Sequence, residues 1–90
     1  MRKLDLSRRA YKFIDELPAK QFRQIIKKIL SLLDNPEPSD SLNLSRAPFR
    51  RTDIGEFRII YHFDESTVYI TLVGKRNDDE IYRQFRRLSG

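Results

Sequence analysis

Gly55-Glu56-Phe57-Arg58-Ile59-Ile60-Tyr61-His62-Phe63 decides the fold. Phe57, Ile59, Tyr61 and Phe63 alternate with Arg58, Ile60 and His62, the period of two that puts successive side chains on opposite faces of a strand. Asp64-Glu65-Ser66 follows as a turn, and Val68, Ile70 and Leu72 then alternate with Tyr69, Thr71 and Val73 in the next strand. Upstream, a weaker strand around Phe49–Asp53 precedes Gly55, so a three-strand meander is predicted.

The period changes on either side. Ser7 is a good helix N-cap, and Ala10, Phe13, Ile14 and Leu17 form an amphipathic stripe after it. Pro18 breaks that helix and suits the first turn of another, in which Phe22, Ile25, Ile26, Ile29 and Leu33 repeat the spacing. Residues 34–40, Asp-Asn-Pro-Glu-Pro-Ser-Asp, can only be a loop. Leu4 and Leu6 alternate with Lys3 and Asp5 as in an edge strand. After Gly74, Asn77 and Glu80 make a capping-box-like start to a short helix carrying Ile81, Phe85 and Leu88. The order is β-α-α-β-β-β-α, an α+β fold. It predicts a small antiparallel sheet, an N-terminal helical hairpin on one face and a short C-terminal helix.

Ninety residues give one domain, 1–90. No stretch approaches the roughly 18 apolar residues of a membrane span, and the first ten residues lack the apolar run of a secretory leader. A cytoplasmic location and no membrane partner are expected. Cysteine is absent, which removes disulfides, thiol nucleophiles and thiolate metal sites. His62 is the only histidine, so a pair of histidines cannot share acid/base work. No phosphate loop occurs and no metal-ligand spacing is present, so neither metal nor cofactor is expected. Any chemistry must come from arginine, lysine, tyrosine and carboxylates.

Eighteen Lys and Arg against thirteen Asp and Glu give a net charge of +5, which points to a polyanion or an acidic protein partner. The excess lies in the C-terminal half, in Arg46, Arg50, Arg51 and Arg58, then in Lys75, Arg76, Arg83, Arg86 and Arg87. Arg58 points to the face opposite Phe57, Ile59 and Tyr61. It reads either as a solvated arginine or as a guanidinium held on rigid scaffold to grip a phosphate. Lys75 and Arg76 are loop cations unless the end of the last strand brings Arg76 beside Arg58 on one anion. Tyr82 borders the apolar stripe of the last helix, where packing is the plain reading. It is also close enough to the helix start for its hydroxyl to reach that anion. Arg51 could project to the same face.

Two segments together resemble a known group. Arg51-Thr-Asp-Ile-Gly55-Glu-Phe-Arg58-Ile-Ile-Tyr61 and Val73-Gly74-Lys75-Arg76-Asn77-Asp-Asp-Glu80-Ile-Tyr82 resemble the RelE/ParE superfamily of type II toxin–antitoxin toxins, and within it the RelE branch. The resemblance implies a RelE-like microbial RNase fold, ribosome-dependent cleavage of mRNA in the A site, and a cognate antitoxin with which the toxin forms a hetero-oligomer. It implies Arg58 and Arg76 around the scissile phosphate and Tyr82 as the base on the RNA 2′-hydroxyl. The family's strand lysines fall near Arg50 and Arg51, but their second position is Asp53 here. Arg51 can stabilise charge yet is a poor proton donor or acceptor. Arg50, Lys75, Arg46 and Arg83 are expected to bind RNA. Leu42, Leu44 or Phe85 could contribute exposed apolar contacts to the antitoxin. A ParE-type inhibitor of DNA gyrase and a non-catalytic basic RNA- or ribosome-binding domain are the alternatives.

Overall fold

The computed structural model describes residues 1–88; the last two residues of the expected domain lie outside the described part. Its elements are β1 (Lys3–Leu6), α1 (Arg8–Asp15), α2 (Ala19–Asp34), β2 (Ser41–Asn43), β3 (Arg50–Ile54), β4 (Phe57–Phe63), β5 (Thr67–Lys75) and α3 (Glu80–Leu88). The α+β reading holds, and the expected meander is β3-β4-β5. The sheet is larger and mixed: its order is β1-β5-β4-β3-β2, with β1 parallel to β5 and the other pairs antiparallel.

Ser7 caps α1 as expected, its Oγ accepting from the Ala10 amide at 3.0 Å, and the same hydroxyl donates to the Thr71 carbonyl at 2.7 Å. Pro18 stands just before α2 as its N-cap rather than inside its first turn. Gly55, at φ 57°, and Glu56 make the two-residue turn between β3 and β4. Glycine at the first turn position with positive φ is the arrangement that matches the twist of the flanking strands.

Both faces of the sheet are covered. Under the helical hairpin, Ala10, Ile14, Ile25, Ile29 and Leu32 pack on Phe57, Ile59, Tyr61, Val68, Ile70 and Val73. Under α3, Ile81 and Phe85 pack on Ile60 and Leu72. Phe22, expected inside, sits in the first turn of α2 and is 39% exposed, while Leu32 is fully buried. Tyr61 donates its buried hydroxyl to the Pro36 carbonyl at 2.7 Å, which pins the proline loop.

The expected alternation fails at one point of β5. Ile60 pairs with Leu72 and Tyr61 with Ile70, leaving Thr71 as an extra residue. This bulge reverses the strand's phase, so Leu72 turns to α3 and Val73 to the hairpin. Gly74, two residues after Leu72, therefore lies on the α3 face, directly opposite Arg58.

Candidate active site

Across the α3 face, the row nearest the β3–β4 turn reads Asp53, Arg58, Gly74, and the next reads Arg51, Ile60, Leu72. Asp53 and Arg58 are direct cross-strand partners, and Arg51 projects to the same face two residues before Asp53. Gly74 leaves room for α3 to start close to this row: a Cβ there would lie 3.2 Å from the Ile81 Cβ. Tyr82, the next residue of α3, then reaches Arg58.

The resulting contacts are short. Arg58 donates from Nε to Asp53 Oδ1 at 2.7 Å, from Nη2 to Asp53 Oδ2 at 3.0 Å, and from Nη1 to the Tyr82 hydroxyl oxygen at 2.6 Å. Its Cζ lies 5.5 Å from the Tyr82 ring centroid. The Arg58 side chain is 14% exposed and that of Asp53 32%, so the pair is shielded but open on one side. The hydrogen bonds from Arg58 hold the Asp53 carboxyl below the usual carboxylate range against the opposing effect of burial, and the charges of Arg58, Arg51 and Arg76 add to this. Arg58 is correspondingly held more firmly protonated, first by Asp53, then by the Tyr82 oxygen. Three guanidinium groups thus act on one carboxylate. Arg76 is fixed through its backbone, its amide donating to the Glu56 carbonyl at 2.9 Å beyond the end of β5.

Other cations expected near this site stand apart. Arg50 pairs with Tyr61 and so lies on the hairpin side of the sheet. Its head group donates to Asn43 Oδ1 and Ser41 Oγ and lies 3.7 Å from Glu37. As neighbours in a strand, Arg50 and Arg51 face opposite ways. Lys75 pairs with Phe57 and lines a groove between α1 and α3 with Arg9, Lys12 and Arg87. Arg83 is exposed on α3, 3.6 Å from Glu80.

Arg46 lies over the rings of Phe49 and Phe85, at 5.2 and 4.7 Å, and clamps α3 from the β2–β3 loop. Phe85 itself is buried beneath α3, which removes it from the expected exposed apolar contacts. The last helix begins at Glu80 rather than Asn77. Asp78 accepts from the Glu80 amide at 2.9 Å, so a carboxylate already occupies the helix N-terminus. The residue that sequence reading undervalued is Asp53. Its pairing with Arg58 was foreshadowed by Gly55, since a two-residue turn places residues five apart opposite one another.

A five-stranded mixed sheet with a helical hairpin on one face and a C-terminal helix on the other is a RelE-like fold. The chain belongs to the ParE toxin family of type II toxin–antitoxin systems, whose model matches residues 4–80, and so to the RelE/ParE superfamily. Its fold is similar to that of E. coli toxin RelE in a mutant, free form, with a TM-score of 0.80 and 22% identity over 97% of each chain. The toxin of the intact E. coli RelBE complex superposes with a TM-score of 0.73 at 24% identity, covering 83% of this chain and 96% of that one. The archaeal RelE–RelB complex from Pyrococcus horikoshii gives a TM-score of 0.72 at 19% identity, over 83% and 94%. No curated protein sequence matches this one.

Proposed function

We propose that this toxin is a RelE-type, ribosome-dependent mRNA endoribonuclease. The observation that carries the reading is the 2.6 Å contact between Arg58 Nη1 and the Tyr82 oxygen, with Arg51 on the same face of the sheet. In this mechanism the RNA 2′-oxygen attacks the adjacent phosphorus as Tyr82, acting in its deprotonated form, takes the 2′-hydroxyl proton. The bond from phosphorus to the 5′-oxygen breaks and that oxygen takes a proton from water, leaving a 2′,3′-cyclic phosphate and a 5′-hydroxyl. Negative charge builds on the phosphoryl oxygens, where Arg58, Arg76 and Arg51 stabilise it; losing one preorganised donor typically costs about 10²–10³ in rate. Arginine is a poor proton donor to the 5′-oxygen, which argues for a ribosome that orients the mRNA and for weak cleavage of naked RNA. Arg46, beside α3, would follow the RNA backbone, and Lys75 would meet it only beyond the edge of the site. Arg83 is further out, and Arg50 has no part in this surface.

The solved relatives include RelE–RelB complexes, which supports a cognate antitoxin as the partner that holds this toxin in check. The action would be cytoplasmic, on translating ribosomes. Primer extension on translated mRNA after brief expression tests the reading: position-specific cuts are expected, and cuts equally strong on naked RNA would remove the ribosome dependence. The family model, named for the parDE system, favours a second reading as a gyrase inhibitor. That reading predicts gyrase-dependent DNA damage and intact mRNA in the same cells.

A further inference from the structure

Arg58 has five N–H donors, of which three are committed: Nε–H and one on Nη2 to Asp53, and one on Nη1 to Tyr82. One N–H therefore remains on each terminal nitrogen. Two parallel donors on neighbouring nitrogens are what bidentate phosphate recognition uses. Asp53 grips the guanidinium without consuming that pair.

We propose that Asp53 is a positioning residue, which fixes the Arg58 guanidinium beside Tyr82 so that its two remaining N–H groups meet one phosphate of single-stranded RNA. The inference rests on the ribonuclease reading for the identity of the ligand, but the clamp is a property of the free protein. Its frame is short and stiff: Asp53 and Arg58 are paired residues on adjacent strands, closed by the two-residue Gly55-Glu56 turn. A long arginine side chain otherwise loses considerable rotamer freedom on binding, and the clamp removes much of that freedom beforehand. Both Asp53 oxygens accept from Arg58, which makes the carboxylate a holder of the cation and an unsuitable base for a 2′-hydroxyl.

A carboxylate beside a phosphate site would ordinarily repel the ligand, and that gives the test its sign. The probe is an RNA trinucleotide with 2′-O-methylribose throughout, which has no free 2′-hydroxyl and cannot be cleaved, titrated at low salt by NMR on the full chain. If Asp53 positions Arg58, Asp53→Asn weakens binding about three- to tenfold although it removes a negative charge, and Asp53→Glu restores part of the loss. The Arg58 Nε–H resonance, slow to exchange with solvent in the wild type, exchanges faster in Asp53→Asn. Tighter or unchanged binding in Asp53→Asn overturns the proposal, as does an unaltered Arg58 resonance. Neither readout requires cleavage. A wild-type protein that binds the probe through Arg58 but leaves translated mRNA intact would defeat the ribonuclease reading and leave the clamp standing.

Discussion

Gly74 lies directly opposite Arg58 in the β4–β5 ladder, and its missing side chain is what lets α3 begin beside the guanidinium. The Thr71 bulge puts Gly74 on that face, and Ile81 fills the space where a Cβ would stand. Tyr82 inherits its position from this packing.

Gly74→Ala should therefore push α3 outward. The added Cβ would come to 3.2 Å from the Ile81 Cβ, an atom that cannot swing away by changing rotamer. Overpacking of this kind costs about 1–3 kcal/mol. A lower melting temperature is expected, together with loss of cleavage as the Tyr82 hydroxyl leaves Arg58. A variant with wild-type melting and cleavage would show that α3 adjusts freely.

Arg58→Lys separates charge from shape. The ammonium keeps the charge but has its three donors on a single nitrogen, so it cannot hold both Asp53 oxygens and Tyr82 together. Cleavage of translated mRNA should fall by about 10²–10³. Tyr82→Phe keeps the ring over Arg58 and removes the oxygen; it should lose comparable activity while melting near the wild-type temperature.

How much of this was legible in the sequence depends on the range of the interaction concerned. The alternation from Phe57 to Phe63 survives because strand period is local. β2 did not show, since Ser41-Leu42-Asn43 is too short to carry a period. The Thr71 bulge was also invisible: it is tied to Ser7, sixty-four residues away, whose hydroxyl reaches the Thr71 carbonyl. The projection of Arg51 to the Arg58 face follows from strand parity, and the structure puts Arg50 on the other face. What sequence could not show is that Asp53 and Tyr82 share Arg58, because that needs α3 laid across the sheet.

Acid should weaken the Asp53–Arg58 pair in a defined window. The folded carboxyl lies below its ordinary value of 3.8, so the pair's contribution is fully present above that pH and is lost as pH falls through the folded pKa. The stability gap between wild type and Asp53→Asn, measured by urea denaturation, should be constant from pH 7 to 5 and shrink below about pH 4. Asp64, held below its usual range first by the Ser66 amide and then by the Tyr69 hydroxyl, titrates in the same region in both proteins and cancels from the difference. A gap unchanged down to pH 2 would contradict the pairing.

Phe85→Ala probes how firmly α3 is attached. Only Ile81 and Phe85 of this helix are buried, and Arg46 lies across Phe85. Removing a buried phenylalanine costs about 3–5 kcal/mol. The hairpin-side core is a separate cluster across the sheet, so the loss should be local. Amide exchange should accelerate along α3 far more than in β4 and β5, and cleavage should fall with it. Uniform acceleration throughout the chain would mean that the two cores unfold as one.

Binding of the cognate antitoxin should respond to salt. The excess of positive charge lies in the C-terminal half of the chain, and an acidic, partly disordered partner segment would order itself against its exposed cations. Charges exposed at such an interface are screened beyond about 8 Å at physiological ionic strength. Raising salt from 50 to 500 mM is therefore expected to weaken the complex by roughly an order of magnitude, chiefly through slower association. Arg51→Ala and Arg76→Ala should each flatten this dependence. A complex indifferent to salt would shift the weight to apolar contacts, for which exposed Leu42, paired with Arg51 across β2 and β3, is a candidate.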